Sequence, residues 1–127
     1  MAKKTGPDSL TLTYDLLKWS IPAIKSFPRD QRFMLGDRIE NHILDVLELL
    51  ISARYSRDKI DCLKKANLKI EVLRFLWRLS LDLNYLNSRR YEHVSVLMND
   101  IGRLIGSWIK YVKARDEKIR QPVSPGV

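Results

Sequence analysis

The chain has 127 residues, 45% of them hydrophobic, which suits one compact domain rather than two. Its 23 Lys and Arg residues outnumber its 15 Asp and Glu residues, and the formal charge of +8 favours a polyanionic partner such as nucleic acid or an anionic surface. A single cysteine, Cys62, excludes an internal disulfide framework and a cysteine-only zinc site. The sequence has no uncharged apolar run long enough to span a bilayer, so we expect a cytoplasmic protein with no membrane partner.

Turn-forming residues divide the chain into four segments, which we predict to be helices because Leu, Ile, Lys, Arg, Asp and Glu fill them. The predicted helices are 9–26, 29–54, 58–84 and 88–115. Their short connections make consecutive helices antiparallel neighbours. The sequence therefore predicts an all-α fold, an up-down-up-down antiparallel four-helix bundle at 9–115, with an N-terminal tail at 1–8 and a disordered C-terminal tail at 116–127.

Each predicted helix begins near a residue suited to a helix start, either a side chain that can accept from an unpaired backbone N–H or a proline. The candidates are Asp8 or Ser9, Pro28, Ser56 or Asp58, and Asn87 or Ser88. Pro22 lies inside the first segment, where we expect a kink or a break. The apolar residues that we expect to face the core from this segment are Leu10, Tyr14, Leu17, Ile21 and Ile24.

The second and fourth segments are amphipathic, with apolar residues at steps of three and four. In the second segment the expected core residues are Leu35, Ile39, Ile43, Val46, Leu47 and Leu50. In the fourth segment they are Tyr91, Val94, Leu97, Ile101, Leu104, Ile105, Trp108 and Val112. Gly102 and Gly106 also lie in the fourth segment, and because each costs about 1 kcal/mol relative to alanine, we expect another helix to approach closely there.

The third segment carries more apolar surface than one bundle core needs. At about 100° per residue, Ile70, Leu73, Leu76 and Trp77 form one arc. Four further residues widen this arc, namely Leu68, Val72, Leu79 and Leu83. We expect these four to form an oligomer interface with another copy of the chain. The alternative is a central helix that contacts three neighbours within one bundle.

The excess positive charge is concentrated in the third and fourth segments. Residues 54–78 include eight basic and three acidic residues, and residues 88–115 include six basic and two acidic residues. In contrast, residues 29–53 include three basic and five acidic residues. A basic face of this kind favours phosphate contacts that are weakly sequence-specific and strongly salt-dependent. The alternative is a solvated face that keeps the protein soluble. The predicted nucleic-acid-binding residues are Lys64, Lys65, Arg74, Arg78, Arg89, Arg90, Arg103, Lys110 and Lys113.

The sequence offers few residues for catalysis. His42 and His93 stand in separate segments with no carboxylate at metal-ligand spacing, and Cys62 has no histidine near it in sequence. We therefore predict no enzymatic activity, no catalytic residue, no metal and no cofactor. Trp77 and Trp108 lie on apolar faces and are expected to pack, whereas the sequence leaves Trp19 open between packing and base stacking.

The run Phe27-Pro28-Arg29-Asp30-Gln31-Arg32-Phe33 stands between the first two segments and continues as Met-Leu-Gly-Asp-Arg-Ile-Glu. With it, the chain resembles the accessory variability determinant (Avd) proteins of diversity-generating retroelements. It resembles more distantly the four-helix-bundle proteins encoded in intervening sequences of bacterial 23S ribosomal RNA genes. Further similar stretches are Tyr14–Trp19, Leu47–Leu50, Tyr55–Lys59, Ala66–Lys69, Leu73–Leu76, Tyr91–His93 and Ile101–Lys110.

The resemblance implies a four-helix bundle that assembles into a five-fold ring or barrel, a homopentamer with a basic surface. It implies a non-catalytic accessory protein that binds a reverse transcriptase and RNA or DNA. Such a protein supports the adenine-mutagenising copying, or mutagenic retrohoming, that diversifies a target gene. The alternative is a structural bundle protein of the ribosomal intervening-sequence type, with no polymerase partner.

Overall fold

The computed structural model describes residues 8–120, and this part of the chain forms four long helices and no strand. Helix α1 is Ser9–Lys25. Helix α2 is continuous over 29–55 and consists of a short α-helical turn at Arg29–Gln31, a π-helical turn at Arg32–Gly36 and the α-helix Asp37–Tyr55. Helices α3 and α4 are Lys59–Asp82 and Ser88–Arg120.

The four helices form the corners of a bundle. Helix α1 packs against α2 and α4, and α3 packs against α2 and α4. Because the connections are short, consecutive helices run antiparallel. The residues at the centre are fully buried and include Ile39, Ile43, Leu63, Ile70, Trp77, Ile101 and Ile105. The predicted all-α bundle is confirmed.

Helix α1 passes through Pro22 without a break, so of the two expected outcomes the break is wrong and the kink stays a prediction. Pro22 is exposed and stands close to the end of the helix. It removes one backbone hydrogen bond, the one to the carbonyl of Lys18, at a position where water can replace it. The helix therefore tolerates the proline.

Helix α4 is longer than predicted. It runs to Arg120, so residues 116–120 are helical rather than part of a disordered tail that begins after 115. The rest of the two predicted tails, residues 1–7 and 121–127, lies outside the described residues.

Helix α1 buries a face that coincides only in part with the predicted one: Ile24 is buried, and Leu10 and Leu17 pack against the core while partly exposed. Tyr14 and Ile21 are 55% and 43% exposed, whereas Thr13 and Ser20 are fully buried. The buried face is rotated by about 90° from the apolar stripe that the sequence suggested. Small side chains let α1 lie close to its neighbours, and the Thr13 hydroxyl donates to the carbonyl of Ser9 at 2.8 Å, which offsets the cost of burying it.

Three contacts hold the joint between α1 and α2. Phe27 is 2% exposed and packs edge-on against Trp77, with 6.3 Å between ring centroids. The Nε of Arg32 donates to the carbonyl oxygen of Phe27 at 3.2 Å. Gly36 lies so near Ile24 that a Cβ on the glycine would stand 2.5 Å from Ile24 Cγ2. These contacts fix the direction in which α2 leaves α1.

Replacing Gly36 with alanine should destabilise the fold by about 1–3 kcal/mol, because Ile24 is buried and stiff at its branched Cβ and cannot easily make room. Replacing Gly106 with alanine is the matched control. A Cβ at Gly106 meets nothing within 4 Å, and alanine there should stabilise the helix by about 1 kcal/mol. Urea unfolding followed by circular dichroism measures both changes, and a Gly36→Ala protein as stable as the parent would contradict the close contact.

Side-chain caps begin three of the helices. Asp8, Asp58 and Asn87 are among the predicted candidates, and each accepts a hydrogen bond from the backbone N–H three residues later, at 2.9, 3.3 and 2.8 Å. Asp8 also pairs with the Arg54 guanidinium at 2.6 Å, which joins the start of α1 to the end of α2. The hydrogen bond from Thr11, and to a smaller extent Arg54, lowers the pKa of Asp8 against the opposing effect of partial burial.

We expect the Asp8 carboxylate to make stability depend on pH in the acidic range. Because its pKa is lower in the folded state, its contribution is complete above the unfolded-state pKa and is lost as the pH falls through the folded-state pKa. Asp8→Asn keeps the cap but removes the charge and should flatten this dependence, whereas Asp8→Ala should cost about 1 kcal/mol at neutral pH. Urea unfolding across a pH series measures the effect, and identical acid slopes in the parent and Asp8→Asn would refute it.

Candidate nucleic-acid interface

The nine predicted nucleic-acid-binding residues lie on α3 and α4, which pack directly against each other. Arg74 is half-buried and the other eight are exposed. Since α3 and α4 are antiparallel, Lys64 lies towards the same end of the bundle as Lys110 and Lys113. Arg89 and Arg90 begin α4 at the opposite end. The predicted residues thus extend along the full length of the bundle.

Four of the nine are paired with a carboxylate on their own helix. The pairs are Lys65 with Asp61 at 3.1 Å, Arg74 with Glu71 at 3.0 Å, Arg78 with Asp82 at 3.3 Å, and Arg103 with Asp100 at 2.9 Å. Such pairs add little stability, but a phosphate must compete with the carboxylate for the cation. Within residues 8–120, no salt bridge involves the other five, Lys64, Arg89, Arg90, Lys110 and Lys113. These five are the most available for phosphate contacts.

Arg74 spans the groove between α3 and α4. Its guanidinium donates to the side-chain oxygen of Asn99, and its Nη2 lies 3.1 Å from the position that a Cβ on Gly102 would occupy. Gly102 therefore makes room for an arginine, whereas Gly106 faces open space. Within the part of the chain that the structure describes, the helix approach predicted from these two glycines is wrong.

Lys65 lies apart from the rest of the predicted basic residues. It lines a shallow groove between α2 and α3 together with Asp45, Glu48 and Lys69. Lys69 itself pairs with Asp45 at 3.1 Å. Because acidic residues of α2 neutralise this side of α3, the uncompensated positive surface lies on the side of α3 that faces α4.

The acidic character of α2 also affects the pKa of one of its carboxyl groups, that of Glu40. Partial burial of Glu40, and secondarily the negative charge of Asp37 on the preceding turn, raises the pKa of the Glu40 carboxyl. Both residues lie on α2 and not on either of the two basic helices. This shift therefore does not affect the predicted nucleic-acid-binding residues.

The four residues predicted for an oligomer interface are exposed on α3. Leu68 is 65% exposed, Leu79 43%, Leu83 46% and Val72 36%. Helix α3 packs chiefly against two helices, α2 and α4. The alternative, in which α3 is a central helix that buries these four side chains against a third neighbour, therefore does not hold within the described part of the chain. Their apolar surface is uncovered in the single chain.

Two further apolar side chains, Phe75 and Met34, extend this surface and were missed by the sequence reasoning. Phe75 is 75% exposed and lies within about one turn of Val72 and Leu79. The π-helical turn leaves Phe33 and Met34 70% and 67% exposed, and Met34 lines the same shallow groove as Val72. We call the following set the α2–α3 apolar patch: Met34, Leu68, Val72, Phe75, Leu79 and Leu83. Exposed apolar surface of this kind is typical of protein interaction sites.

Packing explains the remaining candidate side chains. The ring of Trp19 lies 5.6 Å from that of Trp77 and 5.2 Å from that of His93, centroid to centroid. His42 Nδ1 lies 3.1 Å from the backbone oxygen of Arg38 on the same helix. Among residues 8–120, no three His, Cys, Asp or Glu side chains come together as a metal ion would require. Over that range, no helix has the length and apolar character needed to cross a membrane.

Comparison with known proteins identifies the family. A family model described as bAvd-like matches residues 8–112, which contain α1, α2, α3 and most of α4. No curated protein matches the chain. The matched residues include the run from Phe27 to Phe33, on which the resemblance was based. The family match confirms the resemblance to Avd proteins. The chain belongs to the bAvd-like family.

Proposed function

We propose that this chain is a non-catalytic accessory protein of a diversity-generating retroelement. It binds the reverse transcriptase of the element and its template RNA or cDNA, and it supports mutagenic retrohoming. The family match over residues 8–112 carries the proposal, because it makes the chain a protein of this accessory kind. No observation favours the alternative of a structural protein of the 23S ribosomal intervening-sequence type.

In this proposal nucleic acid binds along the α3–α4 side of the bundle. The cations without a carboxylate partner support this choice, since Arg89 and Arg90 lie at one end and Lys64, Lys110 and Lys113 towards the other. From Arg89 to Lys113 helix α4 rises about 36 Å, at roughly 1.5 Å per residue, which corresponds to about ten base pairs of duplex. Phosphate contacts carry no base information, so binding is weakly sequence-specific.

The assembly that we propose is a homopentameric ring or barrel. A closed ring uses a heterologous interface, in which one surface of a copy meets a different surface of the next. The α2–α3 apolar patch, which contains the four predicted interface residues, supports this assembly as one of those two surfaces. Five copies carry about five times the charge of one chain, on the order of +40, so the basic helices act as a repeated array.

The mechanism in this proposal is positioning. Phosphate contacts hold the template on the basic surface. Because the reverse transcriptase docks on the same assembly, the effective concentration of the template near the enzyme rises. No step of this mechanism needs a bond to be made or broken by the chain itself.

A pull-down of the reverse transcriptase tests the proposal. The tagged chain is immobilised and incubated with the reverse transcriptase of the same retroelement, with and without nuclease treatment. We expect retention under both conditions, because nuclease removes bridging RNA and leaves a direct protein contact. An unrelated basic protein of similar charge is the control. Retention that disappears with nuclease would contradict direct binding, and no retention at all would contradict the proposed function.

A further inference from the structure

A polar cleft lies at the end of the bundle where the α1–α2 joint meets the loop between α3 and α4. The residues that line it are Ser26, Asn84, Tyr85, Leu86, Asn87 and Arg90. Its volume is about 460 Å³, within the range of sites that bind small molecules. Hydroxyl, amide and guanidinium groups from separate parts of the chain thus converge on one concave surface.

Arg90 is held towards the α1–α2 joint. Its Nη1 lies 3.5 Å from Ser26 Oγ, and that hydroxyl donates its own proton to the carbonyl of Ala23 at 2.7 Å. The serine is therefore oriented to accept from the arginine. Within residues 8–120, no carboxylate forms a salt bridge with Arg90. A guanidinium in a cleft without a counter-charge favours an anionic ligand.

The backbone around the cleft is fixed by its own hydrogen bonds. The N–H of Asn84 donates to the carbonyl of Leu81 at 2.9 Å, and that of Tyr85 donates to the carbonyl of Ser80 at 2.8 Å. Asn84 has a φ of 64°, in the left-handed region that asparagine tolerates better than most residues. The Tyr85 ring lies 5.6 Å from that of Phe27, so the loop packs on the joint. A preformed cleft needs little reorganisation when it binds a ligand.

We propose that this cleft binds a phosphate monoester, either the terminal phosphate of a nucleic-acid strand or that of a free nucleotide, through the Arg90 guanidinium. A planar guanidinium forms two parallel hydrogen bonds to phosphate oxygens, which an ammonium group cannot do. The amide groups of Asn84 and Asn87 supply further donors. The half-buried Tyr85 ring supplies an apolar surface for the attached sugar or base. This inference does not depend on the retroelement function.

Two short oligonucleotides that differ only in a 5′-phosphate test the cleft, together with adenosine monophosphate and inorganic phosphate. The full chain is compared with Arg90→Gln and with Arg89→Gln. Arg89 is exposed, lies outside the cleft and loses the same charge, so it is the matched control. The parent should bind the phosphorylated strand about tenfold more tightly than the unphosphorylated one. Arg90→Gln should abolish this preference and Arg89→Gln should keep it, with circular dichroism to verify that both variants fold.

The outcomes separate the possible ligands. If adenosine monophosphate binds as tightly as the phosphorylated strand, the ligand is a free nucleotide. If only the phosphorylated strand binds tightly, the ligand is the end of a strand. Either of these two results supports the proposal that the cleft binds a phosphate monoester. Equal affinity of the parent for the two oligonucleotides without binding of either small phosphate overturns the proposal, as does loss of the preference in both variants.

The same titrations keep this inference apart from the proposed function. Binding of the unphosphorylated strand measures the α3–α4 surface, to which Arg90 also belongs, without a terminal phosphate in the cleft. If that binding persists while the phosphate preference is absent, the cleft proposal fails and nucleic-acid binding stands. If adenosine monophosphate binds and strands do not, the cleft stands and nucleic-acid binding fails.

Discussion

Replacing Lys110 and Lys113 together with alanine should weaken binding of a nucleic-acid strand by about tenfold at roughly 0.1 M salt, with similar factors for different sequences. Both side chains are exposed, and neither forms a salt bridge within residues 8–120. The loss of two phosphate contacts should also lower the slope of log affinity against log salt by about two. Fluorescence anisotropy at several salt concentrations measures both quantities.

Arg78 and Arg103 provide the matched control for this prediction. Both are exposed on the same two helices, and their replacement by alanine changes the formal charge by the same amount. Each is paired with a carboxylate, that of Asp82 or Asp100, so the salt slope should change less than in the lysine variant. Equal changes in the two variants would show that binding follows net charge alone and would contradict the assignment of direct contacts.

Replacing Phe75 with aspartate should dissociate the proposed oligomer. The side chain is 75% exposed in the single chain, so the helix itself should fold as before. Burial of a phenylalanine in a subunit interface contributes about 2 kcal/mol, which corresponds to about 30-fold in the dissociation constant of each interface. Burying an unpaired carboxylate there adds to the loss. Light scattering should therefore give an oligomer for the parent and a mass near 14.9 kDa for the variant.

Val96→Asp is the control for the oligomer prediction. Val96 is 55% exposed on α4, outside the α2–α3 apolar patch, and the substitution introduces the same charge into the middle of a helix. The parent mass is expected for this variant. An unchanged mass for Phe75→Asp would show that the patch does not lie between copies, and a monomeric parent would overturn the proposed ring.

The sequence predicted the core faces of α2 and α4 because the side chains that pack there are the apolar ones. Ile39, Ile43 and Ile101 are fully buried as expected. In α1 small hydroxyl residues occupy part of the buried face, and the spacing of apolar residues cannot identify such a face. The π-helical turn was not predicted either, and its last residue, Gly36, lies against Ile24 on another helix, a contact that no local pattern specifies.

Part of the candidate interface was readable from the sequence and was overlooked. Lys65 stands four residues after Asp61, a spacing that brings opposite charges together on one helix face. The number of charges in a segment does not distinguish such paired cations from unpaired ones. On a helical projection of about 100° per residue, Phe75 lies about 20° from Leu68, so the same pattern that found its neighbours also contained it.

Other features of the interface could not have been predicted from the sequence. The contact between Arg74 and Asn99 depends on the register between α3 and α4, which no local pattern specifies. The cleft at Arg90 depends on two loops that are far apart in sequence and adjacent in the fold.

The aromatic contacts at the α1–α2 joint give the protein an intrinsic optical reporter. The rings of Trp19 and Trp77 meet edge-on at 5.6 Å, close enough for their electronic transitions to couple, and they are two of the three tryptophans in the chain. Phe27 contacts both Trp77 and Tyr85, and Tyr85 lines the polar cleft. Near-ultraviolet circular dichroism should therefore register any opening of this corner, or any ligand that enters it, without an attached dye.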